Sequence, residues 1–173
     1  MTSAGRARRD RGERGRAGGT GRVSPPVVDP TEAFRWQDGE RLVVFGRGTL
    51  AEAGPLLGSG FALLTTPRAA SAAPELASLA GSVHEVGPGR VDELAAELRP
   101  KLDSELLVAL GGGRVIDVAK ALAAADPPRR VAAVPTTLSG AEMTTIHRHA
   151  SGVPAGTRRA RPAIVVNDPA LSA

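Results

Sequence analysis

Residues 110–120 read Leu-Gly-Gly-Gly-Arg-Val-Ile-Asp-Val-Ala-Lys, with three consecutive glycines between an apolar run and a helical pattern. Where Cβ atoms are missing, a diphosphate can come close to the backbone. The free N–H groups and the positive end of the following helix then favour its charge. Gly111, Gly112 and Gly113 are therefore candidate phosphate-binding residues. Asp117 and Lys120 stand three residues apart, one turn along the helix. The plainer reading is a tight turn beside a surface ion pair worth a few tenths of a kcal/mol. The turn alone leaves both readings open.

A second loop narrows the choice. Val134-Pro-Thr-Thr-Leu-Ser-Gly-Ala-Glu-Met-Thr144 places four hydroxyls, on Thr136, Thr137, Ser139 and Thr144, in one stretch. Hydroxyls donate to phosphate oxygens and hold ribose or carboxamide groups. Two such loops after two strands of one sheet converge on the crevice where α/β proteins bind ligands. The earlier Gly46-Arg-Gly48 is a weaker signal. Ala51 stands where a third glycine belongs, and no acidic residue ends the next strand, so a plain strand-to-helix turn is expected there. His147 and His149 form an H-x-H that on a strand would point one way and could ligate a metal. No third ligand accompanies them, and two exposed loop histidines are the bland alternative. Asn167-Asp168 reads as a cap rather than a ligand.

Alternating strands and helices must position these loops. Apolar runs predict strands at 41–45, 61–65, 82–86, 105–110, 131–134 and 163–166. Helical spacing predicts helices over 50–57, 73–79, 91–98 and 115–124. On the last of these, Val115, Val118, Ala119, Leu122 and Ala123 share one face. Strands separated by helices of this length imply an α/β fold, a mostly parallel Rossmann-like sheet with helices on both faces. The expected organisation is an Arg/Gly-rich disordered tail over residues 1–35 and a dinucleotide-binding domain over residues 36–173.

Composition excludes several classes. The chain has 173 residues, no cysteine, three Phe, one Trp and no Tyr, so disulfides and thiolate metal sites are ruled out. Residues 1–22 carry seven Arg against Asp10 and Glu13, a net +5. The whole chain is +4, which leaves −1 for the rest. The folding part is not basic overall, and the tail lacks the aromatics that stack on nucleic acid bases, so no nucleic-acid partner is expected. No apolar run approaches the roughly 18 residues that span a bilayer, and no apolar segment follows the N-terminal charges. The expected location is cytoplasmic, with no membrane partner.

The pair "GGG-x-x-ID-x-AK" and "PTT…G-x-EMT" resembles the paired signatures of the iron-containing alcohol dehydrogenase superfamily. The resemblance runs from about residue 41 to 173. Val43-Val-Phe-Gly-Arg-Gly48 is similar to the family's first strand, and Val165-Val-Asn-Asp-Pro-Ala-Leu171 to the end of its N-terminal domain. The length of the second loop and its ending Glu142-Met-Thr144 are most similar to the maleylacetate reductase branch.

The resemblance implies NAD or NADP as cofactor. Gly111, Gly112 and Gly113 would hold the pyrophosphate, and Asp117 would reach the ribose or nicotinamide side. Thr136, Thr137, Ser139, Thr144 and Ile146 would line the adenine and nicotinamide pockets. Arg114 departs from the small residue usual there. Thr66 stands where the family often has an acid for the ribose 2′-hydroxyl, with Arg68 nearby, so NADP fits as well as NAD. The substrate implied is a small alcohol or carbonyl compound, and a homodimer is compatible with the family. The family's Fe²⁺ or Zn²⁺ sits on a second, helical domain, expected to be absent from this chain, so no catalytic or metal residue is expected here. A lyase resembling dehydroquinate synthase and a non-catalytic nucleotide-binding fragment are the alternatives.

Overall fold

The structure, a computed structural model, describes residues 33–172. The reading of residues 1–32 as a tail lies outside them. Seven strands form one sheet: β1 (Phe34–Asp38), β2 (Arg41–Phe45), β3 (Ala62–Thr65), β4 (Ser82–Glu85), β5 (Leu106–Gly111), β6 (Arg130–Pro135) and β7 (Ile164–Asn167). Their spatial order is β1-β2-β7-β6-β5-β3-β4, with β1 antiparallel to β2 and all other pairs parallel.

The parallel strands are apolar because both faces are covered. Along β5, Leu107 and Ala109 face one core while Val108 and Leu110 face the other. Helices α4 (Val91–Leu98) and α5 (Gly113–Ala125) cover the first face. Helices α1 (Ala53–Leu57), α2 (Pro67–Ala72) and α3 (Pro74–Leu79) cover the second. The α/β sheet with helices on both faces is as the sequence implied.

Three local differences have physical causes. Strand β1 begins at Phe34, inside the stretch assigned to the tail; it is only five residues, Phe-Arg-Trp-Gln-Asp, and its two aromatics stay largely exposed at the sheet edge. Pro67 reads as a strand stop but occupies the first turn of α2, where its missing N–H costs nothing. Thr66 caps that helix by accepting from the Ala69 amide at 3.3 Å. The pattern over 50–57 divides into a 3-10 turn, Thr49–Glu52, followed by α1. Asp168 pins that turn, accepting from the Leu50 amide at 3.2 Å and from the Ala170 amide at 3.0 Å. Its capping role is as read from the sequence.

Nine of the thirteen residues of α5 are buried, more than one apolar stripe would give. The segment 141–162 explains this, since Ala141, Ala150, Val153 and Ala160 pack in the cluster that contains α5. No helix among the described residues is long and apolar enough to cross a membrane.

Candidate functional site

Strands β3 and β5 are neighbours whose onward connections leave in opposite directions: β3 leads outward to β4, and β5 leads through α5 to β6. A crevice opens beyond the carboxyl ends of such strands. The registers Thr65↔Leu110 and Leu110↔Val134 bring three loops to that end side by side. They are Thr66, the glycine turn Gly111–Gly113, and the hydroxyl loop that begins at Thr136.

The two motif loops touch. The Thr136 amide donates to the Gly111 carbonyl at 3.0 Å. A Cβ on Gly112 would lie 3.2 Å from Thr137 Oγ1, and one on Gly113 would lie 2.9 Å from Ser139 Oγ. A Cβ on Gly111 would meet Val115 Cγ2 at 2.7 Å. The glycines thus let the hydroxyl loop rest against the turn, which packs Thr137 and Ser139 beside the start of α5. No side chain caps that start, so the amides of Gly113, Arg114 and Val115 have neither an intrahelical partner nor a cap. Arg114 is exposed beside them, with Nη1 3.4 Å from the Gly87 carbonyl. Uncapped amides, a helix dipole, a guanidinium and adjacent hydroxyls come together there, an arrangement that could hold a diphosphate.

Asp117 lies one turn further along α5 and keeps 29% of its side chain exposed. Its partner Lys120 is not the surface residue that a plain ion pair would require: its side chain is fully buried. The Lys120 ammonium donates to the carbonyls of Ala141 (2.9 Å), Thr144 (3.2 Å) and Ile146 (2.8 Å). An ammonium has three donors, so these bonds exhaust it. Asp117 Oδ1, 2.8 Å from Lys120 Nζ, has no hydrogen-bond partner and pairs through charge alone. Lys120 therefore fastens the far half of the hydroxyl loop to α5. Sequence reasoning missed this clamp; the clue was a lysine on a helix with no face left for solvent.

Of the expected site residues, Gly111, Gly112, Gly113, Thr136, Thr137 and Ser139 cluster at the turn. Thr144 and Ile146 are tied through their carbonyls to Lys120, roughly 10 Å down the helix from Gly113 at 1.5 Å per residue. The Ile146 side chain is exposed.

The histidine pair does not lie on a strand, because residues 144–150 have no regular secondary structure. The rings pack edge to face with centroids 5.5 Å apart. His147 is buried, and both its nitrogens are engaged: Nδ1 lies 2.8 Å from the Arg148 carbonyl, and Nε2 accepts from the Ala160 amide at 3.1 Å. That network requires the neutral Nδ1–H tautomer and leaves no lone pair for a metal. No group of three or more His, Cys, Asp or Glu that could hold a metal ion occurs among the described residues.

Burial, and then the Lys120, His149 and Arg159 charges, hold the His147 pKa below the ordinary imidazole value, against the Arg148 carbonyl. Burial and Lys101 do the same to His84. As pH falls through about 6.5, the unfolded chain takes up protons that the folded rings refuse, so stability must fall. The thermal midpoint is expected to drop from about pH 7.5 to about pH 5.5, with a shallower slope in His147→Gln. An identical slope in that variant would remove His147 from the account.

Comparison with known proteins places this geometry. The profile of the iron-containing alcohol dehydrogenases matches residues 41–169. A maleylacetate reductase of Sphingobium indicum is 36% identical over 146 residues, which cover 75% of this chain and 41% of that protein. A second, from Cupriavidus pinatubonensis, is 42% identical over 76 residues, covering 42% of this chain and 21% of that protein. The crystal structure of a maleylacetate reductase from Agrobacterium tumefaciens superposes with a TM-score of 0.59 at 27% identity, over 80% of this chain and 43% of that one. The chain spans less than half the length of these relatives.

Proposed function

From the premise that this chain belongs to the iron-containing alcohol dehydrogenase family, we propose that it binds a nicotinamide dinucleotide at the carboxyl end of β5, as the cofactor-holding part of an oxidoreductase. The observation that carries this reading is the cradle at the start of α5, where uncapped amides face a loop seated on glycines. Gly112, Gly113 and Arg114 would hold the pyrophosphate through backbone amides. Thr136, Thr137 and Ser139 would contact ribose and phosphate oxygens, and Asp117 would accept from a hydroxyl or carboxamide. Thr144 and Ile146 lie about 10 Å down α5 toward the amino end of the sheet, so their part would be to hold the loop through Lys120 rather than to contact the phosphates.

Bound there, the reduced dinucleotide would supply the hydride that turns a carbonyl into an alcohol, and the oxidised form would accept it in the reverse direction. The relatives named maleylacetate reductase support a small carbonyl compound of that kind as substrate. This chain's residues fix the cofactor's phosphates and orient its rings. They do not provide a metal-ligating group among those described, so no step is assigned to a metal here.

Thr66 directly follows β3, where a carboxylate would repel a ribose 2′-phosphate, and exposed Arg68 lies two residues on. Both NADH and NADPH are therefore expected to bind, with affinities within about tenfold of each other, a difference under about 1.4 kcal/mol. Calorimetric titration of the 173-residue chain with each tests this. Saturable one-to-one binding of both supports the reading; no heat from either overturns it.

A further inference from the structure

A second cavity lies at the opposite end of the sheet. It has a volume of about 820 Å³ and opens where the parallel strands begin, against Arg41 of β2, Arg130 of β6 and Ala163 just before β7. The length of β6, roughly 17 Å at 3.3 Å per residue, separates this end from the carboxyl end that carries the glycine turn. That volume is in the range of small-molecule sites.

Its lining is basic, although residues 23–173 sum to −1. Six arginines line it, Arg41, Arg129, Arg130, Arg158, Arg159 and Arg161, against the carboxylates of Asp38 and Glu40 in the lining and of Asp126 and Glu142 beside it, which leaves a local excess of positive charge of +2. Some of these charges are committed. Arg161 pairs with Asp38, and Arg129 pairs with Asp126 at 2.7 Å. Arg41 is 6% exposed. Its Nε donates to the Pro162 carbonyl at 3.0 Å and its Nη2 to the Glu142 carbonyl at 2.9 Å, while Nη1 is buried without a partner. Burial, and then the Arg161 charge, push the Arg41 pKa down, against the opposing charges of Asp38 and Glu142. Arg130, Arg158 and Arg159 have no carboxylate partner within 4.0 Å among the described residues.

Three uncommitted guanidiniums around one cavity, beside a buried fourth with a spare donor, suit tetrahedral anions, because the planar fork pairs two N–H groups with two phosphate oxygens. We propose that this amino-end basin is a binding site for a small molecule bearing two or more phosphate groups, separate from the dinucleotide crevice.

Inorganic tripolyphosphate, titrated calorimetrically into the full 173-residue chain at low ionic strength, is the probe. Saturable one-to-one binding is expected. Arg158→Glu combined with Arg159→Glu should weaken it at least about tenfold. Arg158→Gln with Arg159→Gln should fall between that variant and the parent. Both pairs are exposed residues without ion-pair partners, so the thermal midpoint should stay within about 2 °C, and NADH affinity should not change. Three results overturn the proposal: no saturable binding, equal affinity in the Glu pair (binding by the N-terminal arginines instead), or displacement of tripolyphosphate by NADH (binding at the glycine turn).

Discussion

Lys120→Met is expected to lower the thermal midpoint on the order of 10 °C. The substitution keeps the length and apolar stem of the side chain but removes the ammonium that holds three carbonyls of the loop after β6. Those carbonyls, and Asp117 Oδ1 beside them, would be left in a site that the parent seals from water. Removing one partner from a buried charged network typically costs about 3–5 kcal/mol. In a domain of this size each kcal/mol moves the midpoint by roughly 2–4 °C. Asp117→Asn should cost less than Lys120→Met, because the three carbonyl bonds to the ammonium remain, but it still removes the carboxylate paired with a buried cation and so should lower the midpoint measurably. Thermal unfolding followed by circular dichroism separates the two. A Lys120→Met midpoint within about 2 °C of the parent would mean that the loop does not depend on the ammonium.

The second large effect belongs to the glycine turn. Gly112→Val should cut NADH affinity by more than about tenfold, since at least one amide-to-phosphate contact worth about 1.5–3 kcal/mol is lost. The backbone at Gly112 (φ −76°, ψ −177°) is open to any residue, so the cause is space alone. A Cβ already stands 3.2 Å from Thr137 Oγ1 and 3.3 Å from Thr137 Cγ2, and two further methyls must push the loops apart. A compensating change tests which contact matters. Thr137→Ala removes both of those atoms, so Gly112→Ala with Thr137→Ala should recover the thermal stability of the parent. Thr137→Ala alone is the reference for affinity: if the double variant binds NADH as that single variant does, the glycine serves loop packing; if it binds more weakly still, the glycine serves the ligand's approach. The cradle requires the second outcome.

The elements nearest the proposed site were the most legible in the sequence. The run Leu106–Leu110 is apolar on both faces because helices cover both, and three glycines before an amphipathic stretch mark a strand-to-helix turn whatever the tertiary context. Features that depend on distant segments were not legible. Strand β1 is a five-residue segment whose Phe34 and Trp36 stay largely exposed, and it exists because β2 offers its edge. Lys120 looks like half of an i,i+3 pair until the segment 141–146 is laid over α5. The pairing of His147 with the Ala160 amide spans thirteen residues of irregular chain, so the H-x-H spacing suggested a strand that is not there. The basic basin draws arginines from the start of β2, the start of β6 and residues 158–161, and no window of sequence reveals it.

The central claim is the position of the dinucleotide, and amide chemical shifts of the ¹⁵N-labelled chain, recorded during an NADH titration, report on it most directly. Shifts concentrated at Gly112, Gly113, Arg114, Thr137 and Ser139, and titrating together, are the predicted result. Shifts confined to Arg130, Arg158 and Arg159 at the amino end of the sheet, or no shifts at millimolar NADH, would contradict it.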